Sequence, residues 1–199
     1  LSLMLGSVAH ADDHAPAERI LNGGLGYDFS LTYEEAQNRG PVAPLRDQAI
    51  PGEELSTIVG EGFFPMQTLT YSVATRKLYK IAGVHFYGDK AGHPMHACHA
   101  DYTSVKEDIE SKYPELKRVG SNAMCERAPN NPYGNPSAEH TEGGRCIKLQ
   151  CLGDAKQAFL QIEYVDRDLL PAALTERAER KRQFQGQAMK DRGFDPSKL

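Results

Sequence analysis

Cys146-Ile147-Lys148-Leu149-Gln150-Cys151 alternates apolar and polar side chains at almost every step, the signature of a strand with two unlike faces. Ile147, Leu149 and Cys151 share one face, and Cys146, Lys148 and Gln150 share the other. Two cysteines on opposite faces of one strand cannot bring their Cβ atoms within disulfide range, so Cys146–Cys151 is excluded as a pair. The stretch thus sets both the inward face of a sheet and the pairing of the cysteines.

Working outward, Gly153-Asp154 turns this strand into a second one, Ala158–Val165, whose Leu160, Ile162 and Tyr164 continue the apolar face. Upstream, Arg127–Gly144 is rich in Asn, Pro and Gly and reads as a surface loop. Before that, Tyr102, Val105, Ile109 and Tyr113 recur at helical spacing, one apolar stripe that Pro114 closes. An earlier hairpin pairs the alternating Leu69, Tyr71 and Val73 with Leu78–Tyr87 across an Ala74–Lys77 turn. Gly83 inside that second strand marks a bulge or a close packing contact.

The first third is led by Gly26–Leu31, read as a short strand, running into Thr32-Tyr33-Glu34-Glu35. Thr32 and Glu35 have the spacing of a capping box, with Leu31 and Ala36 placed as a hydrophobic staple. Gly40-Pro41 ends that helix. Residues 41–65 carry four prolines and are expected to be an irregular connection with one short element near Glu54–Val59. At the other end, Pro171 suits the first turn of a helix reaching about Met189.

The order of elements defines an α+β fold: an antiparallel sheet built from two helix-plus-hairpin units, with helices on one face, a long C-terminal helix and two disulfides. The repeated order is what a diverged duplication would leave. At 199 residues, 40% apolar and 25% charged, the chain has the composition of one globular core. Residues 1–11 are expected to be the remainder of a secretory signal peptide, 12–25 a flexible arm, 26–170 the single α+β domain, and 171–199 a basic helix and tail.

The export reading rests on Leu1–Val8, which resembles the end of an apolar signal core, followed by the small-x-small junction Ala9-His10-Ala11. No apolar run is long enough to span a bilayer. A net charge of −4 argues against nucleic acid as a partner. In an oxidising compartment the four cysteines are expected as disulfides rather than as a thiolate metal site. The preferred pairing is Cys98–Cys151 with Cys125–Cys146. Cys98–Cys146 with Cys125–Cys151 stays open.

Chemistry by residue type concentrates in Gly92–Asp101, where His93, His96 and His99 follow one another at three-residue spacing and His85 precedes them on a strand. Imidazoles suit Zn or Cu. On a helix, three positions at that spacing spread over about 300° at ~100° per residue, so a shared metal requires Gly92 and Pro94 to hold them in a loop. His14 offers a separate Cu(II) or Ni(II) site if the mature chain starts at Asp12. No cofactor is otherwise implied. Cys98-His99 sets a thiol beside a base, but a disulfide would silence it. There is no Gly-x-Ser-x-Gly elbow, phosphate loop or haem attachment motif, so no catalytic residue is assigned and a hydrolase is the last of three readings.

Glu176 to Arg192 carries a net charge of +3, leaving about −7 on the rest of the chain. Arg177, Arg180, Lys181 and Arg182 form a candidate contact surface for an acidic partner, with Glu176–Arg180 as an exposed helical ion pair. The leading expectation is a non-enzymatic exported protein of the bacterial envelope, periplasmic or secreted, acting on an unidentified protein partner as an inhibitor, an immunity-type protein or an accessory. The alternative is a Zn- or Cu-binding protein using the His93–His99 stretch.

Overall fold

The computed structural model describes residues 21–38, 42–44, 54–58, 62–88, 93–113, 117–119, 137–142, 144–154 and 156–191. A small ribbon of β1 (Gly23–Gly24) and β2 (Tyr27–Asp28) leads into helix α1 (Tyr33–Asn38). Strands β3 (Val42–Pro44), β4 (Glu54–Ile58), β5 (Met66–Tyr71) and β6 (Leu78–Tyr87) follow. Helix α2 (Pro94–Lys112) precedes β7 (Lys117–Val119), β8 (Ser137–Glu142), β9 (Arg145–Gly153) and β10 (Ala158–Asp166), and α3 (Leu170–Asp191) closes the chain.

The larger sheet has eight antiparallel strands in the order β3-β4-β5-β6-β10-β9-β8-β7. Each half is a helix followed by a four-stranded meander, and the halves meet where the last strand of one pairs with the last of the other, β6 with β10. The expected helix-plus-hairpin units are therefore the inner hairpins of two larger units. Of their outer strands, β3 and β8 fall in segments read as irregular, β4 is the short element expected near Glu54–Val59, and β7 lies where no element was expected. Pro44 sits on the edge strand β3, where a missing N–H costs no ladder bond, and Lys117 and Arg118 mark the opposite edge.

The face predicted from Cys146–Cys151 is the inward one. Ile147, Leu149, Cys151, Leu160, Ile162 and Tyr164 are buried together with Cys98, Tyr102 and Ile109 of α2. Each such aliphatic side chain contributes about 1.5–3 kcal/mol by leaving water. The Thr32–Glu35 capping box forms in full: the Glu35 carboxylate accepts from the Thr32 N–H at 2.9 Å, and Thr32 Oγ1 accepts from the Glu35 N–H at 3.2 Å. Leu31 and Ala36 are buried beside it.

Three expectations are corrected. Helices do not keep to one face: α3 packs its Leu170 and Ala173 on Tyr79, Cys146 and Val165, a separate cluster on the side opposite Ile147. The β5–β6 register shifts between Thr70↔Lys80 and Tyr71↔Leu78, and this bulge at Tyr79 turns its ring to that second face. The expected arm 12–25 ends earlier, because Leu21 is fully buried and Gly23 and Gly24 pair with Asp28 and Tyr27. The strand expected over Gly26–Leu31 shrinks to β2, with turns on either side.

One disulfide is described, Cys98–Cys151, with Cα atoms 6.1 Å apart. It is the preferred pair, and it removes the open alternative that joined Cys98 to Cys146. The second expected bridge involves Cys125, which lies outside the described residues, as do 1–20; Cys146 is not a free thiol.

Candidate contact surface

The expected contact residues lie on α3, and the base of that helix explains how they are presented. Beyond Ala173 and the half-buried Leu174, the next inward position is Glu176. Its carboxylate accepts a hydrogen bond from Ser72 Oγ at 2.7 Å, from the Ala74 N–H at 2.6 Å and from Arg180 Nε at 3.2 Å. The expected exposed ion pair is thus a latch, fixing α3 to the turn between β5 and β6. That turn is braced from its other side: Arg76, at φ 57°, pairs with Glu34 at 2.8 Å and covers the Tyr33 ring at 4.0 Å. The Arg76 guanidinium hydrogen-bonded to it holds the Glu34 carboxyl below the usual carboxylate range.

Of the four basic residues, Arg177 and Arg180 are half-buried at the base, where they line the crevice against Tyr71, Ser72 and Val73. Lys181 and Arg182 project beyond it. From Lys181 to Gln185 every side chain is exposed, including Phe184 at 47%. A 22-residue helix is about 33 Å long at ~1.5 Å per residue, so α3 extends well past the last side chain it buries.

The histidines are arranged differently from the loop that a metal site required. His93 is the N-cap of α2, Pro94 takes the first turn, and His96 and His99 lie in the helix itself. Cys98 points inward to Cys151, which leaves all three histidines exposed. The His93 and His96 rings are neighbours at 5.9 Å. His85 is held elsewhere, stacked on Phe63 at 4.7 Å with its Nδ1 2.5 Å from the Phe63 carbonyl oxygen. His14 lies outside the described residues. Among the described residues, no group of three or more His, Cys, Asp or Glu side chains is placed to hold a metal ion. The bridge at Cys98 also disposes of the Cys98-His99 nucleophile reading.

Two features escaped sequence reasoning. Glu176 and Ser72 are 104 positions apart, so no local pattern announces their bond. Phe63, Met66 and Phe86 are exposed at one end of the sheet, and Phe86 lies 5.9 Å from Phe159 across the β6–β10 pair. Alternation marks Met66 and Phe86 as strand positions without showing that Phe86 meets a second exposed-face ring across the seam.

Comparisons with protein-family models, curated proteins and solved structures find no match to the chain. No helix among the described residues is long and apolar enough to cross a membrane.

Proposed function

We propose that this is an exported protein of the bacterial envelope that acts by contact, through α3, with a protein partner presenting an acidic groove with an apolar recess. Inhibitor, immunity-type protein and assembly accessory are the roles this contact would serve. The observation that carries the reading is the exposure of Lys181–Gln185 on a helix whose base is latched to the body at Glu176. Helices in proteins draw most of their stability from tertiary packing of one face. A helix end that extends from the body with Phe184 among Arg180, Lys181 and Arg182 is suited to a complementary surface: the ring fills the recess and the cations meet carboxylates.

The test is site-specific photo-crosslinking from position 184 in intact envelopes, with a second probe at exposed Thr75 as control. The reading requires an adduct with an acidic protein from position 184 only, lost in an Arg180→Glu/Lys181→Glu/Arg182→Glu variant and regained when carboxylates on the partner are reversed. The same adduct from both positions, or one that survives the triple reversal, would overturn it.

A metal-binding role remains the second reading, favoured only by the neighbouring His93 and His96 rings. Calorimetric titration with Zn(II) and Cu(II) decides it: millimolar binding or weaker, or equal binding by His93→Ala/His96→Ala, ends that reading.

A further inference from the structure

Between α2 and the sheet lies a half-open cleft of about 360 Å³, within the ~300–1,000 Å³ of small-molecule sites. Its apolar lining comes from Phe63 and Phe64 before β5, Val105 and Ile109 on α2, and Ile162 on β10. Polar groups enter from Asp101, Ser104, Asp108 and Lys112 on α2, and from the phenols of Tyr113 and Tyr164.

Tyr164 is the least expected of these. Its side chain is 8% exposed and its ring fills the space over Gly24, where an added Cβ would stand 2.4 Å from it, while its hydroxyl, without a hydrogen-bond partner among the described residues, reaches the solvent-accessible cleft. A phenol at the wall of such a cleft is free to donate to or accept from a bound molecule in place of water. Burial, with Tyr113 nearby, raises its pKa and keeps it neutral.

The charges beside it are unbalanced. Asp101 accepts one hydrogen bond, from Tyr87 Oη at 2.7 Å, and Asp108 makes none among the described residues. The neighbouring cations are turned to other partners: Lys106 pairs with Glu110 at 3.5 Å, and Lys112 leans over the Tyr113 ring at 5.4 Å. An apolar floor below two carboxylates without cationic partners and an unpaired phenol defines a ligand class by complementarity.

We propose that this cleft binds a small amphiphilic cation, an aryl- or alkylamine. Its apolar body lies on Phe64, Ile109 and Ile162, and its ammonium group sits at the polar rim formed by Asp101, Asp108 and Tyr164 Oη. The site is independent of the α3 surface and stands or falls without it.

The experiment is a titration of the full oxidised chain with phenethylamine, 2-phenylethanol and 3-phenylpropionate, followed by amide NMR shifts. The amine should give saturable shifts confined to Asp101–Tyr113 and Ile162–Tyr164, with affinity falling from amine to alcohol to carboxylate. Asp101→Asn/Asp108→Asn should weaken the amine roughly threefold to tenfold and leave the alcohol unchanged. Asparagine can still accept from Tyr87, so the fold should be kept. Tyr164→Phe should weaken the amine while preserving the melting transition. Absence of saturable shifts at these residues, equal affinity for amine and carboxylate, or an amine affinity untouched by the double Asn variant would overturn the proposal.

Discussion

The carboxylate of Glu176 serves Ser72, Ala74 and Arg180 at once, so its removal leaves a buried hydroxyl and a turn amide to find new partners. Glu176→Ala should cost about 1.5–3 kcal/mol, the range for hydrogen bonds to charged groups, with Glu176→Gln recovering part of it in urea unfolding. Gly83 makes a different kind of demand. A Cβ there would lie 2.6 Å from Leu25 Cδ1 and 3.0 Å from Phe64 Cβ, which selects packing rather than a bulge as the reason for the glycine. Gly83→Ala should cost about 1–3 kcal/mol as an overpacking change, and trimming the partly buried Leu25 to Ala in the same chain should return some of that loss. The tyrosines set the alkaline limit. Burial holds the phenols of Tyr71, Tyr87 and Tyr164 above their ordinary range, and Asp101 adds to this at Tyr87. Unfolded phenols titrate near pH 10, so the stabilisation from these three is complete below that pH and is lost as pH rises beyond it. In an ultraviolet titration of the nine tyrosines followed with circular dichroism, at least Tyr71, Tyr87 and Tyr164 should ionise only as the structure melts. Nine that ionise near pH 10 with the dichroism intact would contradict this.

At the scale of elements, the Cys98–Cys151 bridge ties the second turn of α2 to the core face of β9 across 53 positions. The chain-entropy account assigns such a loop about 4 kcal/mol. Non-reducing peptide mapping should recover this pair, and Cys98→Ser/Cys151→Ser should lower the unfolding free energy by about 2–5 kcal/mol. The opposite outcome is expected for the distal part of α3: a chain ending at Arg180 loses only exposed side chains among those described, so its stability should change by less than ~0.5 kcal/mol. Elements that carry their own signal were legible. Cys146–Cys151 gave its faces through alternation, Thr32–Glu35 its cap, and Tyr102, Val105 and Ile109 their stripe. The outer strands were not, because Val42–Pro44 and Ser137–Glu142 lack an apolar period, and pairing with β4 and β9 gives them their extended form. The histidine stretch misled for a related reason. Pro94 signals a helix start as readily as a loop, and the burial of Cys98 decides which.

For the whole molecule, the repeated element order takes the form of two helix-plus-meander halves joined at β6 and β10. Eight residue pairs, from Tyr87↔Ala158 to Lys80↔Val165, make that seam. It is reinforced on one face by α2, which lies on β6 as well as on β9 and β10. Arg145 binds the first half directly: its guanidinium donates to the Leu21 carbonyl at 2.5 Å and to Asn22 Oδ1 at 2.9 Å, and lies over the Phe29 ring. On the other face, Tyr79 of β6 joins Val165 of β10 under α3. Separated, each half would expose an apolar strand as a sheet edge, with a full row of unpaired N–H and C=O groups. Neither half then has a closed core, although the described disulfide lies wholly within the second. Fragments 1–90 and 91–199 should therefore show no cooperative melting alone and should recombine on mixing into a complex with the dichroism and single transition of the intact chain. If either fragment melts cooperatively alone, the halves are independent domains and the β6–β10 seam is a docking contact. Failure of both to fold even when mixed would mean that the covalent link, rather than the seam, makes the two meanders one sheet.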